Sequence, residues 1–214
     1  MNLYLIGFRC SGKSTIAHLL ADRLGLAAVD TDSRIVERCG CSIADWVNEH
    51  GWEAFRRLEA EALQEISELK THQVVATGGG IVLYEGNIEA MKRSGFVVWL
   101  RIRPETAASR MKADPNTSGL RPGLTGKDPI AEIHYLLQER TPLYEAAADR
   151  IVNCDEMLPE TIALTILRWI QEIRLWPEIL LAPSSGSPLG ENPTGLPSVL
   201  SSTGALPVSP LTNP

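Results

Sequence analysis

The chain lacks the surplus of positive charge that a nucleic-acid reader needs: 20 Lys and Arg stand against 26 Asp and Glu, for a formal net charge of −6. Without a broad cationic surface to attract a polyphosphate backbone, any basic residues that matter must be gathered locally. No apolar run approaches the roughly 18 residues of a membrane span, although 44% of the residues are hydrophobic. The four cysteines, Cys10, Cys39, Cys41 and Cys154, lack the Cys-x2-Cys pairing of a zinc site, and a chain of 214 residues does not need disulfides to fold. They read as free thiols in a reducing compartment. No charged and then apolar leader precedes the first strand-like run, so the expected setting is the cytoplasm. Internal repeats are absent as well. These absences predict a soluble protein with neither nucleic acid nor membrane as a partner, and the chain is expected to be a monomer.

What is present is an alternation of short apolar runs with longer amphipathic stretches. NLYLI, LAAV, QVVA, GFVVWL and RIVN read as strands. Between them lie helical patterns: Thr15 to Leu24, material reaching Lys70, a stretch after QVVA, one from about Pro104, one ending near Ala148, and a last one from Leu158 to Trp176. Five buried strands separated by helices predict an α/β fold, a three-layer α/β/α arrangement with a five-stranded parallel sheet covered on both faces. Gly25 and Pro129 fall where helix ends and starts favour those residues. Residues 1–176 read as one domain. The remaining 38 residues, 177–214, hold eight of the fourteen prolines and only two charges, Glu178 and Glu191. Such a segment has too little apolar periodicity to offset its ordering entropy, so it is expected to be disordered.

Directly behind the first strand stands GFRCSGKST, residues 7–15. Gly7-x4-Gly12-Lys13-Ser14 satisfies the phosphate-loop pattern, with a strand before it and a helix after it as the mechanism requires. Such a loop turns backbone N–H groups inward beside the positive end of a helix dipole. Lys13 adds a mobile full charge for the β and γ phosphates, and the Ser14 hydroxyl can complete a magnesium shell. Gly7, Cys10, Ser11, Gly12, Lys13, Ser14 and Thr15 are therefore the expected binding residues for ATP or GTP. Cys10 reads either as an oxidation-sensitive thiol beside the helix start or as a small residue that the turn tolerates.

Three further clusters sit where an α/β sheet places its chemistry. In VDTD, residues 29–32, one acid can approach a metal and the other can accept from a substrate hydroxyl; the alternative is a helix N-cap. In FRRLE, residues 55–59, Arg56 and Glu59 share a helix face and read equally as a surface ion pair. TGGG, residues 77–80, would leave backbone N–H groups bare for a ligand, or form a flexible loop. The four histidines, at 18, 50, 72 and 134, form no motif, and Trp46, Trp52 and Trp99 read as core.

Together, GFRCSGKST, DTD, GWEAFRRLE, ATGGG, LRPGLTGK and ERTPLYEAAA, in that order, resemble the shikimate kinases, a family with the P-loop kinase fold. The resemblance implies ATP as co-substrate, Mg2+ as metal and shikimate as acceptor. It implies that Asp32 holds two ring hydroxyls and orients the reacting one, that Arg56 and Arg140 grip the carboxylate, and that Gly78, Gly79 and Gly80 wall the site. Guanidinium forks for a carboxylate and an acid for hydroxyls make chemical sense independently. Asp30 becomes the metal-side acid beside Ser14, acting through water. Residues 114–128 become a mobile lid carrying Arg121 to the transferring group, and Arg110 a second nucleotide-side arginine. Lys13, Asp32 and Arg121 are the catalytic set. Lys127 reads as a solvated lid charge. The loop 153–157 flanks the adenine by analogy, although it lacks the arginine that some members carry. The family often has Gly where Cys10 stands, and a larger residue where Gly123 stands. Two other readings stay open on the residues: a gluconate kinase-like enzyme acting on another polyol acid, and a catalytically silent ATP-binding protein that docks a partner.

Overall fold

Along β1 (Asn2–Ile6), Leu3 and Leu5 belong to one apolar cluster and Tyr4 and Ile6 to another, and all four are fully buried. A strand buried on both faces belongs inside a sheet covered twice. The computed structural model, which describes residues 1–113 and 129–177, places β1 at the centre of that sheet. The expected lid, with Arg121, Gly123 and Lys127, and the tail beyond Pro177 lie outside the described residues.

With β2 (Ala27–Asp30), β3 (Gln73–Ala76), β4 (Gly95–Arg101) and β5 (Arg150–Asn153), the sheet has the order β2-β3-β1-β4-β5 and every pairing is parallel. Helices α1 (Lys13–Leu24), α5 (Pro104–Ala113) and α7 (Pro159–Ile173) cover one face, where Ile16, Leu20, Ala107, Ile162 and Ile166 pack on Leu5, Val98 and Leu100. On the other face lie α3 (Ile43–Glu68) and α4 (Glu85–Ser94), which bring Leu63, Ile66 and Met91 against Val75, Val97 and Trp99, while α6 (Pro129–Ala147) gives Tyr144 to this face and Ile133, Leu136 and Leu137 to the first. The result is the three-layer α/β/α fold expected from the alternation. A small third cluster, built on Ile35, Val47, Phe55 and Leu58, joins α2 (Thr31–Cys39) to α3.

Two boundaries differ from the sequence expectation. The helical pattern up to Lys70 is two helices: α2 stops at Gly40, whose left-handed φ of 68° suits glycine, and the Ser42 hydroxyl then caps α3 by accepting from the Asp45 N–H at 3.1 Å. Gly51 (φ 82°, ψ 166°) interrupts α3 with a backbone conformation closed to other residues. The last helix ends at Ile173, not at Trp176, because Arg174 turns left-handed; fully buried Trp176 then donates its indole N–H to the Met1 carbonyl at 2.9 Å.

The position of the site follows from the connections. Neighbouring strands β1 and β3 send their chains to opposite faces, β1 into α1 and β3 through a short 3-10 turn (Ile81–Leu83) into α4. The loops at their carboxyl ends, 7–12 and 77–80, therefore flank a crevice of the kind in which open α/β sheets bind ligands.

Candidate active site

The phosphate loop is shaped by close approach. A Cβ on Gly7 would meet the Leu100 carbonyl oxygen at 2.6 Å, and Gly12, with φ 94°, opens α1 in a left-handed conformation. Cys10 also takes a left-handed φ of 61°, which explains physically why glycine is frequent there in the family it resembles. Ser11 and Lys13 are buried; the Lys13 ammonium donates to the Gly7 and Phe8 carbonyls at 2.9 and 2.8 Å and to the Ser11 hydroxyl at 3.3 Å. Ser14 and Thr15 are exposed in the first turn of α1. Arg110 braces this loop from α5: one guanidinium nitrogen donates to the Cys10 carbonyl at 3.1 Å and the other to the Cys154 carbonyl at 2.5 Å, in the loop after β5.

Asp30 takes the helix-cap role and also meets Ser14. Its Oδ1 caps α2 by accepting from the N–H groups of Asp32 and Ser33 at 3.0 and 3.2 Å, while its Oδ2 accepts from the Ser14 hydroxyl at 2.6 Å. A hydroxyl and a carboxylate in contact, both lining a cleft of about 710 Å³, suit a hard cation that keeps most of its water. Among the described residues no group of three or more His, Cys, Asp or Glu side chains could hold a metal, so an all-protein cage is not formed there.

One N–H of the glycine loop is not bare: Gly78 donates to the buried Thr31 hydroxyl at 2.9 Å, and the Gly78 and Gly80 carbonyls accept from the Ile81 and Leu83 N–H groups at 3.2 and 2.9 Å. What the glycines supply is room for side chains. A Cβ on Gly78 would collide with the Glu59 carboxylate and lie 2.7 Å from Asp32 Oδ1; one on Gly80 would collide with the Arg56 guanidinium. Asp32, Arg56 and Glu59 therefore converge on this loop from α2 and α3. Gly79 faces the other way, where a Cβ would lie 3.3 Å from the Arg9 nitrogen of the phosphate loop.

Arg56 and Glu59 are not a surface pair. Their contact is 2.5 Å, with 18% of the Arg56 side chain exposed and none of Glu59. The rings of Trp52 and Phe55 each lie 5.4 Å from the guanidinium carbon, so Trp52 holds a site residue as well as packing in the core. Arg140 is buried on α6, donates to the Gly79 carbonyl at 3.3 Å and sits 6.0 Å from the Phe8 ring. Burial lowers its affinity for a proton, and the charge of Arg56 adds to that effect while Tyr144 opposes it. A guanidinium stays charged at any ordinary pH. Two partly desolvated cations facing the same loop form a place that an anion relieves.

Sequence reasoning missed Glu59 as the buried counter-ion, Thr31 as the anchor of Gly78, Trp52 as a ring on Arg56, and Tyr144. The fully buried Tyr144 hydroxyl donates to the Gly79 carbonyl at 2.5 Å, and its ring stacks on Trp99 at 5.5 Å. A signal existed for Tyr144, since it lies four residues after Arg140 and so on the same helix face. His50 stacks on Trp46, His72 meets Met1 and His134 pairs with Glu105, whereas His18 lines the same cleft as Ser14 and Asp30. All four cysteines are free thiols.

Known proteins resemble this chain in sequence and fold. A model of the family described as shikimate kinase matches residues 9–171. The shikimate kinase of Oleidesulfovibrio alaskensis is 46% identical over 151 residues, which cover 71% of this chain and 87% of that protein. That of Nitratidesulfovibrio vulgaris is 43% identical over 153 residues, covering 72% and 86%. Among solved structures, the shikimate kinase from Acinetobacter baumannii in complex with shikimate aligns with a TM-score of 0.73 at 33% identity, over 81% of this chain and 94% of that one. The shikimate kinase from Aquifex aeolicus aligns with a TM-score of 0.66 at 34% identity, over 82% and 99%. A match this broad, reaching from inside the phosphate loop to the last helix, has one meaning: the chain belongs to the shikimate kinase family.

Proposed function

We propose that this chain transfers the γ-phosphoryl group of ATP to the 3-hydroxyl of shikimate, giving shikimate 3-phosphate for aromatic amino-acid synthesis. Membership of the family makes it an ATP-dependent kinase with a small-molecule acceptor. The observation that carries the acceptor assignment is the convergence of Arg56, Arg140 and Asp32 on one glycine loop packed against the phosphate loop. Two guanidinium groups suit the ring carboxylate and an acid suits its hydroxyls. Asp32 orients the acceptor hydroxyl and takes its proton as transfer proceeds, while Lys13 and Arg121 neutralise charge on the transferring group. The loose transition state asks mainly for position and charge neutralisation.

Ser14 and Asp30 hold the magnesium ion on this reading, and their oxygen-only chemistry fits it. When bound, the metal neutralises phosphate charge. Arg110, already bonded to the loops on both sides, completes the nucleotide side. On this reading the chain acts as a cytoplasmic monomer.

A coupled ATP assay on the purified full chain tests the reading. ATP is consumed when shikimate is added, with no comparable turnover on gluconate or nucleoside monophosphates. Faster turnover on gluconate would overturn the carboxylate assignment to Arg56 and Arg140, and ATP binding with no turnover on any hydroxylated acid would favour a silent nucleotide-binding protein.

A further inference from the structure

The Gly79 carbonyl is the one peptide group of the described site that receives two side-chain donors, and both come from α6. Arg140 reaches it at 3.3 Å and the Tyr144 hydroxyl at 2.5 Å. The same residue backs onto the phosphate loop at Arg9 and Gly7, with its neighbours in the chain seating Asp32 and Arg56. The phenol has nothing to do with solvent: it is fully buried, and its ring is fixed flat against Trp99, with 21° between the planes. A buried hydroxyl held this rigidly, and aimed at the strip between substrate and nucleotide groups, acts through what it orients.

We propose that Tyr144 is a positioning residue for phosphoryl transfer: its hydroxyl pins the Gly79 carbonyl, and with it the Arg140 guanidinium, at a fixed distance from the phosphate loop. The inference rests on the proposed reaction for its kinetic consequences. It also makes a claim about the loop that holds whichever acid is the acceptor. Without the phenol donor, Arg140 alone serves the carbonyl and has less freedom to turn toward a carboxylate. The glycine strip, which has no side chains of its own, then loosens. Small displacements of a substrate cradle are costly, since a misplacement of about 1 Å can lower a rate by about 100-fold.

The test is Tyr144→Phe in the full chain, beside Trp99→Phe as a packing control that leaves the hydroxyl in place. Tyr144→Phe is expected to raise the KM for shikimate about fivefold and lower kcat about tenfold, with the KM for ATP unchanged within about twofold, the size expected for a small cradle shift. Trp99→Phe is expected to lower Tm and leave both KM values near wild type. Independently of substrate, hydrogen exchange of peptides covering 77–83 is expected to quicken about tenfold in Tyr144→Phe, as the loop opens more readily, while the β1 amides stay protected. Wild-type rates and exchange in Tyr144→Phe, or equal kinetic losses in both variants, would overturn the positioning role. A Tyr144→Phe protein that fails to fold would likewise assign the hydroxyl to structure and overturn it. A wild-type enzyme inactive on shikimate but with quickened exchange in Tyr144→Phe would overturn the acceptor and uphold the loop.

Discussion

The phosphate loop draws its groups from nine consecutive residues, Gly7 to Thr15, whereas the groups facing it across the glycine strip come from α2, α3 and α6. The first region works through backbone: positive φ at Cys10 and Gly12, carbonyls around Lys13, and the open end of α1. The second works through side chains whose places are cut out of the backbone, with Gly78 and Gly80 cleared for Glu59, Asp32 and Arg56. The comparison teaches that glycine means two things in one site. At Gly12 it permits a conformation, and at Gly78 and Gly80 it permits a neighbour.

The contrast can be broken most severely at its cationic ends. Lys13→Met removes the buried ammonium of the backbone-built half, and kcat should fall by about 10² to 10³ with the fold intact, checked by steady-state kinetics beside circular dichroism. Arg56→Ala should act differently, because it strands Glu59, whose side chain is fully buried. Stability is expected to drop by about 3–5 kcal/mol, and adding Glu59→Ala should recover part of that loss in a denaturant titration while shikimate binding stays weak.

A subtler change sharpens the two meanings of glycine. Gly80→Ala places a methyl group against the Arg56 guanidinium. The expected outcome is a rise in shikimate KM of about tenfold with ATP KM unchanged, since the neighbour, not the turn, is what the methyl displaces. If ATP affinity falls instead, the strip belongs to the nucleotide half.

The last effect concerns pH. Burial pushes the Tyr144 phenol up to about 12, against the pull of Arg140, and burial pushes the Cys154 thiol up to about 12 against the pull of Arg110. Both groups hold their protons more tightly folded than unfolded. Their contribution is intact below the ordinary values of 9.0 and 10.0, and it is lost as pH rises from there toward about 12. Unfolding free energy measured by urea titration should therefore decline across that window, and less steeply in Tyr144→Phe.

Much of the fold was legible because alternation of strand and helix patterns is a local property, and β1 shows both buried faces in five residues. Boundaries were less so. The helical pattern runs through Gly40 and Gly51, and the breaks there rest on a left-handed Gly40, the Ser42 cap and the positive φ of Gly51. In the site, the phosphate loop was readable as a motif, and VDTD announced two acids without saying which would cap a helix. Asp30 does so while also meeting Ser14. Arg56 and Glu59 were readable as neighbours on a helix but not as buried, because burial depends on what stands opposite.

By itself, the order of residues determined the phosphate loop, the parallel sheet and the kinase class, since each rests on spacing within a few turns of chain. Tertiary structure alone decided that Tyr144 and Arg140 share the Gly79 carbonyl, that Thr31 anchors Gly78, and that the glycine strip seats side chains. The physical reason is range: backbone conformation and periodicity act over neighbours, whereas desolvation and steric room are set by residues brought together from distant parts of the chain.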